Sequence, residues 1–209
     1  MFCSELEQFC PSWERAWKGL GAKTTGKDLY DALMIKYGEP HRKYHSLQHL
    51  SECLSLFASV QDLPTYPFEV EVALWFHDAI YEVERSDNEE RSAEWARTAA
   101  LKSGVVLAVA DRIHNLIRAT KHTGIPRKLD EQLLVDIDLA ILGASQPRFA
   151  EYEHQIREEY AHVPEGLFRQ KRHAILRSFL ERERIYNTPH FYAIFEEQAR
   201  SNLRIAIEQ

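Results

Sequence analysis

The chain has 209 residues, with 26 Lys and Arg against 32 Asp and Glu for a formal net charge of −6, so no basic field is present to hold duplex nucleic acid. Hydrophobic residues make up 44% and charged residues 28%, which excludes a disordered chain, and the length suits one domain with a buried core rather than a disulfide-stapled miniprotein. Eight Gly and eight Pro are few for this length, so turns are scarce and long helices are expected.

At the N-terminus Leu6, Phe9, Cys10, Trp13, Trp17 and Leu20 follow helical spacing, interrupted or kinked at Pro11 and stopped by Gly19 and Gly21. A second helix is predicted from about Gly26 to Tyr37, closed by Gly38 and Pro40. After Ser46, the stripe of Leu47, Leu50, Leu54 and Phe57 predicts a helix to about Val60, before a turn between Pro64 and Pro67. From Phe68 to Tyr81 the chain is apolar almost all round, the pattern of a helix buried inside a bundle. Further helices are predicted at about 87–103, 105–122, 128–143, 147–162, 165–184 and 190–207. No period-two run, internal repeat or flexible linker interrupts this series. The expected fold class is all-α, a single globular helical bundle over residues 1–209, with helices too short and irregular for a coiled coil.

Three cysteines, Cys3, Cys10 and Cys53, form no CxxC pair, which argues against a disulfide framework or zinc knuckle and for a reducing compartment. No run approaches the roughly 18 apolar residues of a membrane span, and the first residues carry acid where a signal peptide carries base. The expectation is a cytoplasmic protein with no membrane partner.

Ten histidines are present, and three clusters of polar residues stand out against apolar surroundings. In Tyr44-His45-Ser46-Leu47-Gln48-His49 the two histidines lie four apart, and His49 is nearer the apolar stripe, which makes it the better inward candidate. In Trp75-Phe76-His77-Asp78-Ala79-Ile80-Tyr81 an imidazole and a carboxylate sit side by side in the most hydrophobic segment. An unpaired carboxylate is costly there, so Asp78 needs a cation, a donor network or a metal. In the third cluster Asp136 and Asp138 point about 200° apart on a helix. Asp138 faces the stripe of Leu134, Ile137 and Ile141, leaving Asp136 to support a ligand or cap a helix.

This order, H then HD then D on a helical chain, resembles the HD-domain superfamily of metal-dependent phosphohydrolases. The stretches 44–49, 76–81, 87–93 and 136–143, with Arg157-Glu158-Glu159-Tyr160 and Ala199-Arg200-Ser201-Asn202-Leu203, are similar to a bacterial subfamily of predicted HD phosphohydrolases. The resemblance implies metal ligands at His49, His77, Asp78 and Asp138, with His45 a rival for the first position. Mixed nitrogen and oxygen donors suit one divalent ion, Mn, Fe, Co, Ni, Zn or Mg. The implied activity is hydrolysis of a small phosphorylated substrate, a nucleotide being one option, by a metal-activated water. Asp78 and Glu89 are the catalytic candidates, the latter as acid or base.

Cationic donors for the phosphoryl group are sought on 113–122, where His114, Arg118 and His122 recur at steps of four; His45, Arg118 and His122 are taken as substrate-binding. Taken alone, the Arg118/His122 face reads as solvated or salt-bridged rather than substrate-binding, and only the resemblance brings the two readings level; His77-Asp78 alone reads equally as a buried structural pair. Trp13, Trp17, Trp75, Phe76 and Phe168 read as core, Cys53 as a small buried apolar residue, Glu181-Arg182-Glu183-Arg184 as a solvated run, and Arg157 and Tyr160 as braces between helices. Two rival functions remain: a di-iron oxygenase on an HD-like scaffold, using His114 or His122 as extra ligands, and a non-catalytic binding module with a vestigial site.

Overall fold

The computed structural model describes residues 9–208, which fold into α-helices joined by short turns, with no strand among them. Cys3 and Leu6, and the acidic N-terminal residues, lie outside the described residues. The all-α class expected from the sequence is what the structure has. The helices are α1 (Cys10–Gly19), α2 (Lys27–Tyr37), α3 (Leu47–Val60), α4 (Pro67–Phe76), α5 (Asn88–Lys102), α6 (Leu107–Ala119), α7 (Leu129–Asp138), α8 (Gln146–Glu159), α9 (Glu165–Leu180) and α10 (Pro189–Glu208). A 3-10 segment, Leu139–Gly143, continues directly from α7. No helix among the described residues is long and apolar enough to cross a membrane.

Helix α4 occupies the centre, packed against α1, α3, α5, α6 and α7. Every residue from Glu69 to Phe76 is buried, as its apolar circumference predicts. Its two buried acids are matched from outside the helix: Glu71 by Ser12 and Arg15, and Glu69 by Arg112 at 2.6 Å. Asp130 accepts from the amides of Thr65 and Tyr66, holding the turn that leads into α4. Trp13, Trp17, Trp75 and Phe76 form an aromatic cluster in this core, and Cys53 is buried in it as well.

Several boundaries depart from the pattern in the sequence, and four of them bear on the site or the core. Pro11 does not kink a longer helix; it occupies the first turn of α1, where its missing amide hydrogen costs nothing. The apolar segment 68–81 stops being helical at Phe76, because its terminal carbonyls are intercepted: His77 Nδ1 bonds Leu74 O at 2.7 Å and Tyr37 Oη donates to Trp75 O at 3.2 Å. The buried Arg42 guanidinium then takes Asp78 O at 2.5 Å and Ala79 O at 3.1 Å. The predicted helix 128–143 tightens to 3-10 winding after Asp138, where Tyr186 Oη donates to Leu139 O and Asn202 Nδ2 to Leu142 O. Finally, 105–122 ends at Ala119, and His122 has a left-handed φ of +56°.

Candidate metal centre

Three elements converge on one point. Ser46 caps α3, its hydroxyl accepting from Gln48 N, and this starts the helix so that His49 faces inward, 2% exposed. The turn after α4 supplies His77 and Asp78, and the last residue of α7 supplies Asp138.

The facing atoms are close to one another. His49 Nε2 lies 3.1 Å from His77 Nε2, 3.2 Å from Asp138 Oδ1 and 3.6 Å from Asp78 Oδ2. His77 Nε2 lies 3.1 Å from Asp78 Oδ2 and 3.5 Å from Asp138 Oδ1. Ligand bonds of about 2.1 Å place neighbouring donors roughly 3.0 Å apart around an octahedral ion and roughly 3.4 Å apart around a tetrahedral one. The spacing therefore suits donors around one ion. His77 donates its Nδ1 hydrogen to the Leu74 carbonyl, which turns Nε2 toward the centre, the usual orientation of a metal-binding imidazole.

Cys53 is the third member of a buried His49, Cys53 and His77 group, with donor atoms within 4.8 Å of one another, that could bind a metal ion. Its Sγ is 3.7 Å from both ring nitrogens of His49, and a sulfur equidistant from the two lies along the lone-pair axis of neither. Burial, with the charges of Asp138 and Asp78, pushes the thiol well up, whereas ligation needs a thiolate. The carboxylates are the better partners of the two imidazoles.

Asp78 and Asp138 interact strongly with His77 and with their other neighbours. Burial alone would raise Asp78, but the His77, His45 and His49 charges hold it far below the usual carboxylate range. Asp138 is likewise held well down against burial by hydrogen bonds from His122, His49 and His77. Burial would lower His77, yet Asp78 and Asp138 together hold its proton on well above the ordinary imidazole value.

Beside the centre lies a cavity of about 420 Å³ lined by Asp78 and Asp138, with His45, Glu89, His122 and Arg182 among its walls. His45 does not join the four. Its Nδ1 lies 2.7 Å from Glu159 Oε2, and its ring stacks 4.0 Å from that of Tyr81, whose hydroxyl donates to the same oxygen at 2.8 Å. Glu159 Oε1 accepts from the amides of Lys43, Tyr44 and His45. Burial pushes this carboxyl up, but the His45 charge and these hydrogen bonds outweigh it and hold it at about 2. In return, and against burial, Glu159 and Asp78 raise His45. Glu89 is raised, chiefly by burial and by the Asp78 charge.

His122 lines the cavity from a left-handed conformation just beyond the end of α6, a conformation that costs a residue with a side chain roughly 1 kcal/mol or more. Its Nε2 lies 3.0 Å from Asp138 Oδ2. This corrects the expected face of His114, Arg118 and His122: His122 is not on the helix, Arg118 is exposed, and neither Arg118 nor His114 lines the cavity. The cations that do are Lys121, Arg172 and Arg182, the last from the run read as solvated. Asp136 proves to be a cap, accepting from the amide and hydroxyl of Thr188, both at 2.7 Å, where α10 begins. Arg157 braces the α8–α9 turn through the carbonyls of Tyr160 and Val163. Glu159 and Tyr81 carried no assigned role in the sequence, although both lie in stretches picked out by the family pattern.

A separate cavity of about 360 Å³ borders His49, Cys53 and Asp138, but its walls are largely apolar and its Arg148 is paired with Glu52 at 2.7 Å. Comparison with known proteins finds no matching family model, no similar curated protein and no similar solved structure.

Proposed function

We propose that this chain is a phosphohydrolase of the HD type, holding one divalent metal ion through His49, His77, Asp78 and Asp138 and acting on a small phosphorylated compound in the adjoining cavity. The observation that carries the reading is the convergence of two imidazole nitrogens and two carboxylate oxygens within 3.6 Å of His49 and His77 at the wall of that cavity. The donor set is borderline to hard, suited to Mn, Fe, Co, Ni, Zn or Mg. Such an ion supplies an acidified water and charge neutralisation at the phosphoryl group.

The rest of the chemistry falls to the chain itself. Glu159 holds the Nδ1 hydrogen of His45, so Nε2 of that protonated ring is the proton donor for the leaving oxygen. Glu89, its carboxyl raised by burial, lines the same cavity and is the second proton-exchanging group of this reading. His122 fixes the second oxygen of Asp138 and so orients the first. Asp78 and Asp138 are the members of the four that both hold the ion and border the substrate.

Metal analysis of untagged protein, paired with a screen of nucleotides and sugar phosphates in added Mn or Co, tests this. About one transition metal per chain, lost in folded His77→Ala and Asp138→Ala variants, with metal-dependent phosphate release, is the expected result. Two irons per chain with oxygen consumption would replace it with an oxygenase. An Asp138→Ala variant that is more stable and unchanged in metal content would leave a binding module.

A further inference from the structure

The cavity beside the metal centre is lined by three lysine and arginine side chains, Lys121, Arg172 and Arg182. Two are neutralised: Lys121 Nζ lies 2.7 Å from Glu90, and Arg172 is paired with Glu153. Among the described residues no carboxylate lies at ion-pair distance from Arg182. Its Nη2 donates to the His122 carbonyl at 3.2 Å, and its guanidinium stands 4.4 Å from the centre of the Phe179 ring. A guanidinium carries five N–H donors in a fork shaped for an oxyanion, so most of this one's donor capacity has no protein acceptor. Burial alone pushes its pKa down, with no acid nearby to offset it.

Leaving a half-buried cation unpaired is costly, and the chain supplies acids to other partly buried arginines, among them Arg112, Arg148, Arg157 and Arg172. The exception sits where a ligand can reach it. The Tyr44 hydroxyl and His122 Nδ1, on residues that line the same cavity, are also buried without partners among the described residues, as are Trp13 Nε1, Trp17 Nε1 and Glu90 Oε2 elsewhere. The layout is bipolar. Asp78, Asp138 and Glu89 form an acidic wall that accepts a phosphoryl group only through a cation, whereas Arg182 accepts an oxyanion directly. Arg182 is one residue removed from the centre, because the residue whose carbonyl it holds bonds Asp138 through its ring.

We propose that Arg182 anchors a second oxyanion of the substrate, so that the preferred substrate is a small compound with a phosphoryl group at the metal centre and a further phosphate or carboxylate at this guanidinium. The proposal rests on the phosphohydrolase reading and narrows it to doubly anionic compounds. A cavity of about 420 Å³ has room for such a molecule.

Isothermal titration of the manganese-loaded protein with propylphosphonate, propane-1,3-bisphosphonate and 3-phosphonopropanoate separates the two ends. One two-anion probe is expected to bind about tenfold or more tighter than propylphosphonate, the worth of a charge-assisted contact. The bisphosphonate leading would identify the second group as phosphate, and the phosphonocarboxylate leading would identify it as carboxylate. Arg182→Gln should erase the advantage and leave propylphosphonate affinity within about twofold, which also certifies the fold. Arg182→Lys, keeping charge but losing the fork, should retain part of the advantage. Equal binding of all three probes to the native protein, or an advantage that survives Arg182→Gln, overturns the anchor while the metal centre stands. Failure to bind both manganese and propylphosphonate overturns the phosphohydrolase reading, and the anchor with it.

Discussion

Both oxygens of Glu159 are fully engaged: Oε1 accepts three backbone amides at the approach to α3, and Oε2 takes the His45 ring and the Tyr81 hydroxyl. Glu159→Gln keeps the shape and removes the charge, leaving a partly buried ring without its counter-ion. The expected loss is about 3 kcal/mol in denaturant unfolding at pH 6, with phosphate release down about 100-fold and the limb of the rate profile set by His45 moved to lower pH. The contribution to stability has a defined window. Glu159 is held at about 2 against an ordinary 4.5, so its share is complete above 4.5 and lost as pH falls toward 2. His45 is raised above its ordinary 6.5, so the pairing is complete below 6.5 and lost as pH rises through the folded value. The difference between native and Glu159→Gln protein should therefore be largest between pH 4.5 and 6.5. An unchanged rate profile in the variant would remove His45 from proton transfer. None of this was legible from spacing, because a helix count that favours His49 over His45 cannot reveal an acid 114 residues away.

At the scale of elements, α4 was readable almost to its end and misread at the end. Its apolar run continues to Tyr81, and nothing local stops it; what stops it is Tyr37, Arg42 and the ring of His77, two of them on a different part of the chain. The consequence is chemical, since His77 and Asp78 on a continuing helix would diverge by about 100°, whereas in the turn both reach the same point. Arg42→Ala leaves the Asp78, Ala79 and His45 carbonyls without their donor. It should cost about 2–4 kcal/mol in unfolding and weaken metal binding at least tenfold, with Arg42→Lys rescuing little because one ammonium cannot span the carbonyls. Normal metal affinity in Arg42→Ala would show that the turn holds without it. The Glu181–Arg184 run failed as a sequence signal for the opposite reason. Its alternation looks like any solvated face, and only the packing of α9 with α10 carries Arg182 to the cavity.

Across the whole molecule, the four converging side chains span residues 49 to 138 and belong to α3, the turn after α4 and α7, so an ion held by them ties the core together. Saturating manganese at about 100 times its dissociation constant should add about 2.7 kcal/mol, a rise in melting temperature of roughly 5–10 °C for a chain of this size that chelation reverses. Because Asp78 and Asp138 hold a proton on His77, the ion must displace it. The gain should shrink as pH falls, and calorimetry in buffers of different ionisation enthalpy should detect about one proton released per ion near neutrality. A melting temperature indifferent to manganese would argue for a cluster that is structural without metal. The ordered H, HD, D pattern picked out the residues that come together, and the apolar periods picked out the bundle. The walls of the cavity depended on α8, α9 and the turns that close them, whose own sequences are ordinary.

Asp136 and Asp138 sit two apart at the end of α7 and look in different directions, one clasping the start of α10 through Thr188 and Asn187, the other facing the imidazoles. A rod pinned on two sides can neither roll nor slide. A slip of one residue would bring Ile137 where a carboxylate belongs and unfasten the last helix in the same movement, so the register of α7 is locked by two independent bolts, and loosening either should make the other rattle.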